Sequence, residues 1–238
     1  MDELEDLPPL RHPTARRPLL GMTVLAVEDS RFACEALRLM CLHSGARIRR
    51  ADCLESARRH LKVYRPSVAI IDVGLPDGTG LDLIRDLDQA SPRVGVILGT
   101  SGDDNAQAEV MGAGADGFLL KPVDDLAAFQ QAILRNLPAD KQVTGPRALP
   151  TQTVDPDPVA YRDDMNHVAT ILQGNRDGPV LDYVAQFLRG VARAADDRQL
   201  VDVVADLTDR RARGLSPAPV VNRLTSMLQD RLRRRAVV

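Results

Sequence analysis

The sequence predicts an α/β fold, a five-stranded doubly wound parallel sheet, followed by a small all-α C-terminal domain. Three observations predict it. Short apolar runs, several rich in β-branched residues, alternate with amphipathic stretches of helix length as far as residue 137. Five prolines then fall within 21 residues, at 138, 146, 150, 156 and 158, and a segment so poor in backbone donors reads as a linker. Beyond them come four apolar stripes at helical spacing. The expected division is a disordered leader over 1–20, the α/β domain over 21–138, a Pro-rich linker over 139–158 and a helical domain over 159–238.

Each element has its own signal. Residues 22–27 are an apolar run ending in Glu28-Asp29-Ser30, and Ser30 is a good N-cap for a helix carrying Phe32, Leu37, Met40 and Cys41. Ser44-Gly45 stops that helix. Residues 47–51 are the weakest strand, since three of the five are arginine. Leu54, Ala57, Leu61 and Tyr64 mark a second helix, closed by Pro66. The run SVAIIDV over 67–73 is continuous and apolar, the mark of a strand covered on both faces. GLPDGTG over 74–80 is turn chemistry, and Leu81, Ile84 and Leu87 follow as a helix. Strand, helix, strand and helix are then expected over 94–100, 105–115, 118–120 and 126–137. The four later stripes are Tyr161-Met165-Val168-Leu172, Leu181-Val184-Ala185-Leu188, Leu200-Val203-Val204-Leu207 and Val220-Leu224-Met227-Leu228. A bundle of this size has a marginal core, so self-association as a homodimer is expected.

Composition narrows the function. Lys plus Arg is 31 against 33 Asp plus Glu, which lacks the signature of a general nucleic-acid or membrane-surface binder. Seven aromatics without a Trp offer no base-stacking platform. Only Lys62, Lys121 and Lys141 are lysines. No apolar run approaches the roughly 20 residues of a membrane helix, and the acidic, Pro-rich start is unlike a secretory signal. Cys34, Cys41 and Cys53 form no C-x-x-C pair. A cytoplasmic chain, with Cys34 and Cys41 as core fillers, is the expectation.

In an open parallel sheet, ligands bind beyond the carboxyl ends of the strands. Glu28 and Asp29 end the first strand, Asp72 the third, Thr100 the fourth and Lys121 the fifth. Carboxylates crowded into one crevice repel, and a hard divalent cation relieves them. Mg²⁺ fits, because it accepts one or two carboxylates together with water and phosphate oxygens. A lone ammonium at the rim adds a point charge for a phosphoryl group.

VLAVEDS (24–30), AIIDVGLPDGTG (69–80), ILGTSG (97–102) and GADGFLLKP (114–122) resemble, in order and spacing, the receiver domain of two-component response regulators. The resemblance runs from about Met22 to Leu137 and implies a flavodoxin-like strand order of 2-1-3-4-5. It implies that Asp72 accepts a phosphoryl group from a histidine kinase or a histidine phosphotransfer protein. It implies that Asp29, Asp72 and the backbone carbonyl of Gly74 ligate Mg²⁺, with Glu28 direct or through water. Lys121 would pair with phosphoryl oxygens, Pro122 would follow in a cis bond, and Thr100 and Phe118 would form the switch. No separate enzyme activity is expected beyond the domain's own phosphorylation and dephosphorylation.

Two departures stand out. The first acid is Glu28 rather than the commoner Asp, and Gly74 and Gly102 carry no side chain at positions that tune acyl phosphate hydrolysis in the family. Slow self-dephosphorylation is therefore expected, since neither glycine can orient a water. The G-x-G-x-x-G over 112–117 follows a helix and precedes a strand, the reverse of a dinucleotide site.

The region from 151 on holds 13 Arg and 12 Asp, with no Lys or Glu. A protein-interaction or dimerisation bundle with an unknown output protein is favoured. DNA binding through the basic run 231–235 is an alternative, although cations at a helix C-terminus are favourable without a ligand. Another is a phosphotransfer-like bundle using His167, which lies off its apolar stripe and lacks the basic residue and glycine that should follow it.

Overall fold

The computed structural model describes residues 13–138 and 150–234. Its sheet contains β1 (Thr23–Val27), β2 (Arg47–Ala51), β3 (Val68–Asp72), β6 (Val96–Ser101) and β7 (Gly117–Leu120). All pairings are parallel, in the order β2-β1-β3-β6-β7. Between β3 and the helix that follows, β4 (Gly74–Leu75) and β5 (Gly78–Thr79) pair as a small antiparallel hairpin within the expected turn. The flanking helices are α1 (Arg31–Ser44), α2 (Leu54–Val63), α3 (Gly80–Asp88), α4 (Ala106–Gly112) and α5 (Leu126–Leu134).

Period-two alternation divides the core between the two faces. Val24, Ala26, Val68, Ile70, Val96 and Leu98 pack with Leu37, Met40, Phe129 and Ile133 of α1 and α5. Leu25, Val27, Ala69, Ile71 and Ile97 pack with Leu54, Ala57, Leu83, Ile84 and Val110 of α2, α3 and α4. Each fully buried Leu or Ile contributes roughly 1.5–3 kcal/mol of transfer free energy. Gly99 has no side chain because α4 comes too close: a Cβ there would overlap Val110. Strand β2 tolerates its arginines because it is the edge strand and most of its residues face solvent.

Ser30 caps α1 as expected, accepting from the Ala33 amide at 2.9 Å. Helix α2 is capped twice, by the Cys53 thiol and by Asp77, which accepts from the amides of Leu54 and Glu55. Cys34 and Cys41 are buried.

The leader lies outside the described residues up to residue 12. From Pro18 the chain is folded onto the domain. Leu19 is fully buried, and its amide donates to the Ser44 carbonyl. Residues 139–149 of the linker also lie outside the described residues, but 152–154 are pinned to the start of α5. Thr153 bridges to Asp125, the Leu126 amide donates to Gln152, and Val154 is buried. Prolines therefore mark the segment without freeing all of it.

The four later stripes become α6 (Pro158–Gly174), α7 (Gly178–Ala194), α8 (Arg198–Ala212) and α9 (Ala218–Arg234). Their stripes close one apolar core containing Met165, Leu172, Val184, Leu188, Leu200 and Leu224. Arg231 of α9 makes a two-toothed ion pair with Asp197, which also accepts from the Tyr161 hydroxyl at 2.6 Å. That knot joins α6, the α8 cap and α9. Among the described residues, no helix is long and apolar enough to cross a membrane.

Candidate functional site

The carboxyl ends of β1, β3, β6 and β7 bring Glu28, Asp29, Asp72, Thr100 and Lys121 to one crevice. One oxygen from each of Glu28, Asp29 and Asp72 lies within 4.8 Å of the others. The Lys121 ammonium stands 2.7 Å from both Glu28 Oε2 and Asp72 Oδ2. Burial alone would pull the ammonium's pKa down, but Asp72 and Glu28 hold it above the ordinary lysine value. Burial pushes Glu28 well above the carboxylate range against the pull of Lys121. Burial, and then the neighbouring charge of Asp72, pushes Asp29 up to about 7. Three carboxylates facing one ammonium leave two negative charges to be met when all are ionised, and the donor set is all oxygen. Those residues fit a hard divalent cation.

Thr100 is buried, and among the described residues its hydroxyl has no hydrogen-bond partner. Such an orphan costs on the order of 1–3 kcal/mol until something meets it. The Lys121–Pro122 peptide is cis, as expected. The Gly74 amide donates to Asp72 Oδ1 at 3.3 Å. Phe118 is half-buried against the core beneath α2, α3 and α4.

These strand-end residues coincide with a family pattern: residues 24–133 match the response regulator receiver domain. That stretch is a response regulator receiver domain. The receiver part of the chain is 33% identical over 114 residues to the KDP operon transcriptional regulatory protein KdpE of Escherichia coli, a match covering 47% of this chain and 51% of KdpE. It is 32% identical over 117 residues to the virulence transcriptional regulatory protein PhoP of Salmonella typhimurium, covering 48% and 52%. The chain thus spans about half the length of the curated relatives it matches. Among solved structures, a putative response regulator from Chloroflexus aurantiacus is similar at 30% identity and a TM-score of 0.44, covering 48% of this chain and 98% of that one. A Pseudomonas aeruginosa sensor-kinase receiver domain, 23% identical with a TM-score of 0.43, covers 48% of this chain and 96% of its own; it has a magnesium ion coordinated in its active site cleft.

The receiver's crevice is not open to solvent on every side, because α7 lies across it. The Tyr183 hydroxyl donates to Asp29 Oδ2 at 2.7 Å. The Gln186 carboxamide fills the space beside Gly74, where a Cβ would overlap it. Four residues further along the same helix, Gly190 sits against Gly102, 3.1 Å from where a Cβ at Gly102 would be, and close to the Lys121 side chain. Arg193 donates to the Gly102 carbonyl and pairs with Asp104, while Arg189 pairs with Asp103 at 3.1 Å. Gly190 permits this approach: a Cβ there would just touch Lys121 Cδ at 3.4 Å, and a side chain larger than alanine's would be driven into it.

Helix α6 adds a second clamp. Asp164 is buried and accepts from the Ser30 hydroxyl at 2.7 Å, the Arg31 amide at 2.8 Å and the Phe32 amide at 3.1 Å. A carboxylate at the N-terminus of α1 meets its orphan amides and its dipole. Arg31 pairs with Asp163, and Phe32 meets Tyr161 edge-on. Beside this clamp a cavity of about 1360 Å³, lined in part by Asp29, Asp52, Asp163 and His167, reaches the acidic cluster.

Sequence reasoning missed Tyr183, Gln186, Gly190 and Asp164. His167 is exposed as expected, but its ring meets the Tyr183 hydroxyl at 3.3 Å and packs on Phe187. The basic residue and glycine that do not follow His167 occur instead after Gln186, as Arg189-Gly190. The premise behind slow hydrolysis also changes: the space left by Gly74 holds a polar amide from another helix.

Proposed function

We propose that this chain is a phosphorelay response regulator in which phosphorylation of Asp72 controls the docking of the α6–α9 bundle. The observation that carries this reading is α7 in the mouth of the crevice, with Tyr183 on Asp29 and Gln186 beside Gly74. The phosphoryl group and the output helix share one crevice, so phosphorylation shifts docking toward the open form without abolishing it.

In this reading an Asp72 carboxylate oxygen attacks the phosphorus of a partner's phosphohistidine, the P–N bond breaks, and the imidazole leaves. Glu28, Asp29, Asp72 and the Gly74 carbonyl would hold Mg²⁺, whose charge offsets that of the phosphoryl oxygens. The Lys121 ammonium then exchanges part of its contact with Asp72 for a phosphoryl oxygen. The unpartnered Thr100 hydroxyl is placed to donate to another, and Phe118 beyond it reports the change. Added negative charge and bulk displace α7, and the freed α6–α7 face becomes available to a second copy or an output protein.

The names of KdpE and PhoP support a DNA-binding alternative. Against it, Arg189, Arg193, Arg210, Arg211, Arg213 and Arg231 each stand within 3.2 Å of an aspartate oxygen. Cations committed to protein carboxylates contribute little to phosphate binding. A cytoplasmic site of action belongs to the same proposal.

The test is to treat the full chain with acetyl phosphate or a phosphohistidine donor and Mg²⁺. A hydroxylamine-labile label absent from Asp72→Ala, with expansion of the protein in small-angle scattering, is expected. Equal labelling of Asp72→Ala, or labelling without expansion, would defeat the reading. A salt-dependent shift of random duplex DNA would favour the DNA-binding alternative.

A further inference from the structure

The receiver supplies no side chain at Gly74 or Gly102, the two places flanking the phosphoacceptor from which a water might be held. Helix α7 fills the first of these with an amide. The Gln186 carboxamide occupies the volume that a side chain at 74 would take. The neighbouring Gly74 amide is itself bonded to Asp72 Oδ1 at 3.3 Å, so the carboxamide takes the place of a side chain two residues beyond the reacting carboxylate. Gln186 is also exposed, so bulk water reaches it. Among the described residues its carboxamide makes no hydrogen bond. The helix beneath it is fixed on both sides, by Tyr183 on Asp29 and by Gly190 against Gly102. A free, hydrated, well-positioned amide beside a phosphoryl site can orient an attacking water.

Resting on the reading of Asp72 as phosphoacceptor, we propose that Gln186 is a catalytic residue for dephosphorylation, supplied in cis by the helical bundle. The Gln186 Oε1 accepts a hydrogen bond from the water and aims its oxygen at phosphorus. The new P–O bond forms as the bond from phosphorus to the Asp72 oxygen breaks. Asp72 leaves as a carboxylate, and both water protons depart with inorganic phosphate as dihydrogen phosphate. The amide takes no proton, so its contribution is orientation alone. Undocking of the bundle then prolongs the phosphorylated state, and redocking ends it. The expected slow hydrolysis is thereby confined to the undocked receiver.

The experiment measures decay of the acyl phosphate in the full chain after labelling with acetyl phosphate and Mg²⁺ and removal of the donor. Gln186→Ala should lengthen the lifetime by about a hundredfold, the low side of what one positioned catalytic group supplies. Adding Gly74→Asn to Gln186→Ala returns an amide to the same space from the receiver side and should restore most of the rate. An unchanged or shortened lifetime in Gln186→Ala overturns the proposal. So does a double variant as slow as the single one, because Gln186 would then act only through docking. A wild-type chain that takes no label overturns the assignment of Asp72 as well, whereas a labelled chain indifferent to Gln186→Ala overturns this proposal alone.

Discussion

Replacing Asp164 by alanine should release the bundle from the receiver while leaving both folded. The carboxylate belongs to α6, yet its three hydrogen bonds all go to the first turn of α1: Ser30 Oγ, the Arg31 amide and the Phe32 amide. Hydrogen bonds to a charged group contribute about 1.5–3 kcal/mol each to stability where both partners are otherwise buried. Here the net loss is smaller, because Ser30 still caps Ala33 and water reaches the freed amides once the face opens. A net cost of about 2–4 kcal/mol to docking follows. That lowers the ratio of docked to undocked chains by about 30- to 700-fold, at about 1.4 kcal/mol per decade. The assay compares two phosphodonors. Acetyl phosphate can pass through the cavity beside the docked helix, whereas a phosphohistidine protein needs the mouth that α7 covers. Asp164→Ala should therefore speed labelling by the protein donor by an order of magnitude or more and change labelling by acetyl phosphate by no more than about twofold. Equal acceleration of both donors, or of neither, would refute the reasoning that docking guards the crevice by size.

The remaining predictions concern the same interface and the bundle's own stability. Tyr183→Phe removes a competitor for an Asp29 oxygen worth about 1 kcal/mol, so calorimetric titration should show Mg²⁺ binding about fivefold tighter. Gly190→Ala should be tolerated, since a Cβ there stands 3.4 Å from Lys121 Cδ and alanine favours the helix by up to about 1 kcal/mol. Gly190→Val should instead drive α7 off, seen as increased proteolysis between the domains. For the bundle, burial of Asp197 would raise its pKa, but Arg231 and Tyr161 outweigh that and hold it below the usual value. A lowered carboxyl pKa stabilises above the unfolded value of about 4 and loses that stabilisation as pH falls through the folded one. Thermal melts should therefore show the bundle weakening as pH falls below about 4, a loss that Asp197→Asn lacks.

The α/β fold was legible because its signals are local. SVAIIDV can hardly be other than a strand covered on both faces, and the acids fall at strand ends because the sheet puts ligands there. Strand β2 was weakly marked because an edge strand needs little apolar surface. The contacts of α7 were illegible for a different reason. Apolar periodicity locates a helix's buried stripe, here Leu181, Val184, Ala185 and Leu188, and says nothing of what its other face touches. Tyr183, Gln186 and Gly190 lie on that second face, and their partners are 154, 112 and 88 residues distant in the chain. A faint signal existed in Arg189-Gly190, the basic residue and glycine sought after His167, which follow Gln186 instead. The imidazole drew attention to the wrong helix. Proline content likewise suggested a free tether, while Thr153 and Val154 were already held by α5.

That last anchorage sets the mechanical range of the switch. With Val154 buried and its amide bonded to Asp124, only Asp155, Pro156 and Asp157 separate the pinned strand from α6. Three extended residues span at most about 10 Å, so a bundle let go by the receiver pivots on a short leash and does not diffuse away. Its local concentration at the crevice stays in the millimolar range or above. An external protein offering the same helix face must outcompete that figure to stay bound. Closing of the bundle is accordingly an intramolecular step, and a phosphoryl group worth only a few kcal/mol can tip it.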